Sequence, residues 1–250
     1  MIDIHTHILP GLDDGSDTLE DSLEMARIAE ADGIGYIFAT THSNLDPSRG
    51  IEHRDNVLAR TRELRRALIS EDIRVQVFPG MEIMASEDIA QLMREHVLIG
   101  LNDSHYYLME YPFNAGPDYM DFVIDEMLGV EGAVPVIAHP ERYFYIQAHP
   151  EHVYGWVMKG CLPQINRASL EGKFGPAAQE ACIELMDHNL VAFLASDAHT
   201  PRYRTPRLSS ARAFLSERYS EYYAKLILED NPRHLIDGRP LDIRAAARRI

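Results

Sequence analysis

Only two cysteines, Cys161 and Cys182, occur in the 250-residue sequence. Two thiols are too few for a disulfide framework and lack the pairing of a zinc ribbon, which agrees with a reducing compartment. No apolar run reaches the roughly 18 residues of a membrane span, and the N-terminus shows no basic segment followed by an apolar one. We therefore expect no membrane insertion, no signal peptide and a cytoplasmic protein.

Basic residues are also scarce, since 24 Lys and Arg against 39 Asp and Glu give a formal net charge of −15. A nucleic-acid backbone must be met by clustered Lys and Arg, so we expect no nucleic-acid partner. Any anionic substrate would need a local positive charge that the composition does not supply. The apolar content of 46% suffices for one substantial core, so we expect a single domain over residues 1–250.

Short apolar runs alternate along the chain with longer amphipathic segments, such as residues 18–31 with a capping box from Thr18 to Asp21. Most of the runs are continuous, as in strands buried on both faces. The repetition implies a parallel α/β sheet, and seven units in this length favour a closed or nearly closed barrel. The segment from about residue 206 is expected to end in a solvated helix rich in arginine. The predicted strands are 1–4, 35–40, 74–78, 107–109, 134–138, 162–165 and 191–195.

Side chains that can bind metals follow six of the seven predicted strands. Parallel barrels place their active sites at the carboxyl ends of the strands, so these side chains should meet. One buried histidine usually has a structural role, but six such strand ends indicate a metal centre. Residues two apart on an extended segment point to the same side, as do His5 with His7 and Asp197 with His199. The candidates are His5, His7, Asp13 or Asp14, His42, Glu82, Glu110, His139, Asp197 and His199.

The mixture of imidazole and carboxylate without thiolate suits Mn²⁺, Fe²⁺ or Zn²⁺, and it exceeds the needs of one tetrahedral ion. We therefore expect two or three divalent ions. Such a cluster can lower the pKa of a bound water to about 7 and can hold both oxygens of an in-line displacement. Phosphate-monoester hydrolysis, which is very slow without a catalyst, gains most from it. The ions, with Arg142 and Arg204 beside the ligand segments, would also supply the missing positive charge.

The motifs HxH, DDG, TTHS, GMEI, LMEYP, VIAHPERY and LASDAH together resemble the PHP (polymerase and histidinol phosphatase) superfamily. In particular, the chain resembles the bacterial capsule-biosynthesis tyrosine phosphatases of the CpsB/CapC type, from MIDIHTHILPGLDDG to NPRHLI. The resemblance implies a distorted (β/α)7 barrel with a trinuclear site that is usually activated by manganese. It also implies hydrolysis of phosphotyrosine in the tail of a bacterial tyrosine kinase that regulates polysaccharide export. A homo-oligomer is compatible with this picture.

The resemblance further implies how the ligands are shared among three metals. Asp14 takes a ligand role here, although spacing alone does not separate it from Asp13. The first metal would be held by His5, His7, Glu82 and Asp197, the second by Glu82, Glu110 and His139, and the third by Asp14, His42 and His199.

Two arginines resemble the phosphate-contacting arginines of this family. They are Arg142 and Arg204, whose planar guanidinium groups suit bidentate phosphate binding. Arg202 could replace Arg204, because the sequence around them aligns loosely. His105 stands where relatives often have arginine, and we do not count it as a ligand.

Two further motifs could suggest a different chemistry. Cys161 and Arg167 have the C-x5-R spacing of cysteine-dependent tyrosine phosphatases, but the intervening LPQIN has no glycine and contains a proline. Such a segment does not easily form a nest of N–H groups around a phosphate. His149 and His152 lie at a predicted helix start, where capping or surface exposure is the expected role.

Three other functions compete with a tyrosine phosphatase. Amidohydrolases also have HxH on the first strand, but they commonly bridge two metals with a modified lysine on a middle strand. Lys159, Lys173 and Lys225 are the lysines of this sequence, and none follows a predicted strand. A PHP phosphatase of a small metabolite, such as histidinol phosphate, would use the same metals. A metal-stabilised regulatory module is disfavoured, because a structural site is closed by four ligands.

Overall fold

The computed structural model describes residues 1–43 and 50–250. In this part of the chain, seven strands form one parallel sheet in sequential order. The predicted seven-stranded α/β barrel is therefore confirmed. The strands are β1 (Ile2–Thr6), β2 (Tyr36–His42), β3 (Gln76–Met84), β4 (Tyr106–Glu110), β5 (Val134–Ala138), β6 (Leu162–Asn166) and β7 (Phe193–Ala195).

Helices join the strands and pack around the barrel. Thr18 caps the first helix by accepting a hydrogen bond from the Asp21 amide at 3.1 Å, as the sequence predicts. Within residues 1–43 and 50–250, every helix is too short or too polar to cross a bilayer. The helices are α1 (Leu19–Ala31), α2 (Gly50–Ser70), α3 (Ile89–Arg94), α4 (Pro117–Leu128), α5 (Phe144–Ala148), α6 (His152–Lys159), α7 (Arg167–Leu170), α8 (Pro176–Asp187), α9 (Ser209–Arg218), α10 (Glu221–Lys225) and α11 (Asn231–Asp237).

The barrel closes between its first and last strands, at their carboxyl ends. The amide of Asp197 donates to the carbonyl of His5 at 3.0 Å, and the amide of His7 donates to the carbonyl of Ala198 at 2.8 Å. Thr6 and Ala198 form a parallel bridge at the same point. Because strands β1 and β7 meet here, side chains that follow both of them face one another.

Apolar side chains fill the barrel interior below this level. Phe38, Leu108, Val136 and Phe193 belong to one fully buried cluster inside the sheet. Side chains two residues apart on a strand share a face, so the next inward position after Leu108 is Glu110. The lower layers of the barrel are therefore a packed apolar core. At the carboxyl ends of the strands, polar side chains point into the barrel mouth.

An irregularity in β1 changes which of its side chains face inward. Asp3 pairs with Ile37, but Thr6 pairs with Ala39, so β1 has one residue more than β2 over this interval. An extra residue shifts the alternation of side chains along a strand. As a result Ile4 packs in the interior cluster while its neighbour His5 also reaches the interior.

The C-terminal segment differs from the sequence-based expectation. Helix α11 ends at Asp237 and is capped by Gly238, whose φ of 63° is left-handed, and Pro240 follows two residues later. Residues 238–250 form no helix, so the predicted terminal helix carrying Arg244, Arg248 and Arg249 is wrong. Polar contacts hold part of the segment instead, since the guanidinium of Arg248 donates to the carbonyl of Asp187 at 2.6 Å.

Candidate metal centre

A pocket of about 490 Å³ opens at the carboxyl ends of the strands. His42 and Glu110 are the last residues of β2 and β4, and Glu82 is two residues before the end of β3. The sequence pattern predicts all three just beyond the strand ends. His5 and His7 are fully buried and contact Glu82 in the pocket wall. The pocket is lined by Asp14, His42, Glu82, Met84, Glu110, Phe113, His139, Arg142, Asp197, His199 and Arg204.

Glu82 is the centre of the cluster. Its Oε2 atom lies 3.2 Å from Nε2 of His5, 3.2 Å from Nε2 of His7 and 3.2 Å from Nδ1 of His42. Its Oε1 atom lies 2.8 Å from Nε2 of His139. One buried carboxylate therefore touches four imidazoles, which is the geometry expected of a bridging ligand.

Burial opposes the charged forms of these groups, but their mutual attraction outweighs it. The charges of Glu82 and Asp197 raise the pKa of His5 to about 8. His5 in turn holds the pKa of Glu82 well below its usual value. Against the same burial, His5, His7 and Arg204 lower the pKa of Asp197. Ionised carboxylates are thus enclosed in the barrel mouth, an environment that favours a bound cation.

Asp14, His42 and His199 meet on the other side of the cluster. Oδ1 of Asp14 lies 3.4 Å from Nε2 of His42 and 3.5 Å from Nε2 of His199. Burial, with the positive charge of His7, lowers the pKa of His199 to about 4. The imidazole of His199 is therefore neutral at pH 7, which is the form that can bind a metal.

Among residues 1–43 and 50–250, three sets of donor atoms are compact enough to share a cation, with all atoms of a set within 4.8 Å of one another. His7 and His42 each belong to two sets, whereas the family resemblance gives each a single metal. Asp197 lies 3.5 Å from both His5 and His7, next to the first set. The mixed imidazole and carboxylate donors fit divalent ions such as Mn²⁺, Fe²⁺ or Zn²⁺. The sets are His5, His7 and Glu82; His42, Glu82 and Glu110; and His7, Asp14, His42 and His199.

The structure separates the adjacent Asp13 and Asp14. Oδ2 of Asp13 accepts from Nδ1 of His7 at 2.7 Å and from the amide of His42 at 2.9 Å, and its Oδ1 accepts from the amide of Gly15 at 3.0 Å. Both oxygens of Asp13 are thereby occupied, and the carboxylate orients the His7 ring. Asp14 is the member of the pair that faces the cluster.

Arg142 and Arg204 line the pocket beside Asp197. Nη1 of Arg142 is 3.6 Å and Nη2 of Arg204 is 2.5 Å from Oδ2 of Asp197. The guanidinium of Arg142 lies over two aromatic rings, 4.5 Å from the centroid of Phe113 and 4.2 Å from that of Phe174. Cation–π contacts with these rings hold the positive charge at the pocket wall, where an anionic ligand would contact it.

Backbone strain accompanies three residues of the pocket. His139, Asp197 and Arg204 have φ values of 34°, 52° and 43°, in the left-handed region that disfavours residues with a side chain. Such conformations cost about 1–3 kcal/mol each and persist where the surrounding structure requires them. His139 follows β5, and Asp197 and Arg204 follow β7. All three side chains line the pocket at the barrel mouth.

A family model described as capsular polysaccharide synthesis, CpsB/CapC, matches residues 1–237. The chain belongs to the CpsB/CapC family. It is 38% identical over 232 residues to the tyrosine-protein phosphatase YwqE of Bacillus subtilis (strain 168), covering 92% of this chain and 89% of YwqE. It is 28% identical over 243 residues to the tyrosine-protein phosphatase CpsB of Streptococcus pneumoniae, covering 94% and 98% of the two chains.

A solved structure agrees with this membership. It comes from the crystallographic work on YwqE of Bacillus subtilis and CpsB of Streptococcus pneumoniae, described there as unique metal-dependent tyrosine phosphatases. It superposes with a TM-score of 0.87 and 36% sequence identity, covering 100% of this chain and 99% of that chain.

Other motifs noted in the sequence lie outside the pocket of this CpsB/CapC protein. Cys161 is buried just before β6, at the opposite end of that strand from Arg167, and burial raises the pKa of its thiol to about 12. Arg167 pairs with Glu171 at 3.0 Å. Nε2 of His152 lies 3.0 Å from Asp121 on the outer helices. His105 packs against the ring of Tyr106, with 4.3 Å between the ring centroids.

Two site residues were missed by the sequence analysis. Gln164 and Asn166 lie on β6, the strand that carries no predicted ligand, and both are fully buried. Polar residues at alternate positions of an otherwise apolar buried strand could have indicated them. Gln164 contacts His5, and Asn166 contacts Asp197.

Proposed function

We propose that this protein is a metal-dependent phosphatase that acts on phosphotyrosine. The observation that carries the proposal is the buried cluster of ionised carboxylates and imidazoles lying directly beside Arg142 and Arg204. Membership of the CpsB/CapC family and the tyrosine-phosphatase names of YwqE and CpsB support the same conclusion.

The proposed ligands are those that the family resemblance gave, because the structure brings all nine into one cluster. Manganese is the proposed metal, with iron or zinc as alternatives of similar coordination chemistry. Divalent ions held here would lower the pKa of a bound water and neutralise charge at the phosphate. The first ion would be held by His5, His7, Glu82 and Asp197, the second by Glu82, Glu110 and His139, and the third by Asp14, His42 and His199.

The protein's own residues would bind and orient the substrate. A phosphate monoester carries about −1.5 to −2 charge at neutral pH, and Arg142 and Arg204 would donate to its non-bridging oxygens. Met84 and Phe113 line the same pocket with exposed fractions of 38% and 39%. These apolar groups at the mouth would contact the aryl ring of phosphotyrosine, which favours an aromatic ester over a purely polar metabolite.

The proposed substrate is the phosphotyrosine tail of a bacterial tyrosine kinase that acts in capsular or exopolysaccharide synthesis. Family membership supports this partner, since the family is described by its role in capsular polysaccharide synthesis. A wide pocket at the barrel mouth can accept a side chain that projects from an extended peptide.

A substrate panel with Mn²⁺ tests the proposed function. The panel contains a phosphotyrosyl peptide, para-nitrophenyl phosphate and histidinol phosphate, each assayed with and without a chelator. We expect the phosphotyrosyl peptide to have the highest kcat/KM and the chelator to remove its hydrolysis. Preference for histidinol phosphate would instead indicate a small-metabolite phosphatase, and full activity in chelator would exclude the metal mechanism.

Replacing Asp13 with Asn should weaken metal binding without removing a ligand. The change weakens the acceptor that holds Nδ1 of His7, and loss of such a supporting contact typically costs about 10- to 100-fold in metal affinity. Asp17→Asn, an exposed carboxylate in the same loop, is the matched control. Competition titration with Mn²⁺ measures the effect. Equal affinities for the two variants would show that Asp13 does not support the site.

Arg204→Ala should lower kcat/KM, whereas Arg202→Ala should not. Arg204 lines the metal pocket, but Arg202 is exposed and lines a separate hollow with Asp17 and Thr200. Removing one charged partner of a phosphate contact costs about 2–5 kcal/mol, or at least roughly 30-fold in rate. Steady-state kinetics on the phosphotyrosyl peptide separates the two arginines. The opposite ranking would assign the phosphate contact to Arg202.

A further inference from the structure

Strand β6 places two neutral amides directly behind the charged groups of the metal cluster. Gln164 and Asn166 are two residues apart, face the barrel interior and have exposed fractions of 0%. A buried amide without hydrogen-bond partners costs stability, so such residues persist in a core only when their partners are in place. Their partners are His5 and Asp197, two members of the metal cluster.

The contacts form one unbroken path from His5 through the two amides to Asp197. Nδ1 of His5 lies 2.9 Å from Oε1 of Gln164. Nε2 of Gln164 lies 2.8 Å from Oδ1 of Asn166, and Nδ2 of Asn166 lies 2.6 Å from Oδ2 of Asp197. The path thus joins a side chain of the first strand to one that follows the last strand.

The direction of every hydrogen bond in this path is fixed from its Asp197 end. An ionised carboxylate only accepts, so the group of Asn166 that faces Asp197 must be its NH₂. The carbonyl of Asn166 then faces Gln164 and must receive the NH₂ of Gln164. The carbonyl of Gln164 is left for the ring of His5.

The last contact determines where His5 carries hydrogen. A carbonyl cannot donate, so Nδ1 of His5 must be the donor, whether the ring carries one hydrogen or two. In the neutral ring the lone pair is then on Nε2, which faces Glu82 at 3.2 Å and Asp197 at 3.5 Å.

We propose that Gln164 and Asn166 are positioning residues that hold His5 in the tautomer with hydrogen on Nδ1 and aim Asp197 at the same metal. This inference rests on the proposed function, because His5 and Asp197 act there as ligands. Two amides suit this role because each has a donor group on one side and an acceptor on the other. Fixing the hydrogen bond at one end of such a chain therefore fixes the next one. The amides also add no charge to a crowded buried site.

The first test reads the tautomer directly in the wild-type protein. Histidine is labelled with ¹⁵N, the protein is loaded with Zn²⁺, and long-range ¹H–¹⁵N spectra are recorded. We expect Nδ1 of His5 to carry a slowly exchanging hydrogen. An Nδ1 without hydrogen would overturn the inference whatever the variants do.

The second test changes the amides and measures metal affinity. Gln164→Met keeps the length of the side chain and removes its hydrogen bonds, so Zn²⁺ affinity should fall by about 10- to 100-fold. The Nδ1 hydrogen of His5 should also exchange faster. Gln164→Glu restores an acceptor for His5 and should recover the slow exchange. Gln179→Met makes the same change at a half-buried glutamine on α8, which donates to the carbonyl of Leu170, and serves as the control.

The outcomes separate this inference from the proposed function. Wild-type Zn²⁺ affinity and slow Nδ1 exchange in Gln164→Met would overturn the positioning role even if phosphatase activity is found. A protein with the expected tautomer and metal affinities but no phosphatase activity would contradict the proposed function alone. If Gln164→Met does not fold, the wild-type spectrum and Gln164→Glu still decide the question.

Discussion

Glu82→Gln should reduce turnover of a phosphotyrosyl peptide by roughly a thousandfold or more. The substitution keeps the shape of the side chain but removes the charge that touches four imidazoles. Metal ions contribute several kcal/mol of charge stabilisation to a phosphoryl-transfer transition state, and about 1.4 kcal/mol is tenfold in rate. If Glu82 bridges two ions as proposed, its loss should therefore remove most of the catalysis.

The fold should survive this change, because the apolar clusters of the barrel do not include Glu82. Circular dichroism checks the fold, and elemental analysis should show reduced bound metal. Glu95→Gln, on the exposed end of α3, makes the same chemical change away from the pocket and should keep full activity. Wild-type turnover by Glu82→Gln would remove the bridging role and the assignment that depends on it.

Arg142→Ala should lose most of the activity with metal content unchanged, whereas Cys161→Ser should keep nearly all of it. Arg142 lines the pocket and contacts the rings of Phe113 and Phe174, and we expect a loss of roughly a hundredfold or more. Burial raises the pKa of the Cys161 thiol to about 12, so this group is not a thiolate at neutral pH.

Kinetics and a search for a covalent intermediate separate the two mechanisms. A thiolate mechanism would give an inactive Cys161→Ser variant and a phosphocysteine in the wild type. In the metal mechanism, Cys161 takes no part in the chemistry. Its replacement by serine places a hydroxyl in the core and should cost only stability, by about 1–3 kcal/mol. An inactive Cys161→Ser with an active Arg142→Ala would exclude the metal mechanism.

The strand-end pattern was visible in the sequence because barrel geometry makes it local. Each of Glu82, Glu110 and His139 closely follows or ends an apolar run, and parallel strands bring those ends to one edge. Sequence spacing could therefore predict that the ligands meet. It could not show that His7 and His42 each lie between two donor sets, since that depends on distances across the barrel mouth.

Other features depend on contacts that no local pattern records. Asp13 and Asp14 are adjacent and have the same side chain. They differ in their contacts, because Asp13 accepts from Nδ1 of His7 whereas Asp14 lies beside His42 in the open part of the cluster. Gln164 and Asn166 carry no charge, so a search for metal ligands passes over them. The extra residue of β1 also escapes the pattern, because an irregular strand and a regular one have the same composition.

Closure of the barrel between β1 and β7 has a consequence for synthesis on the ribosome. The amide of Ser196 donates to Asp3 across a separation of 193 residues, and the same region joins His5 to Asp197. A nascent chain that has not yet released β7 contains His5 and His7 but lacks Asp197 and His199. The proposed sites that need Asp197 or His199 can therefore be completed only after β7 has emerged, whereas the set of His42, Glu82 and Glu110 needs no residue after β4.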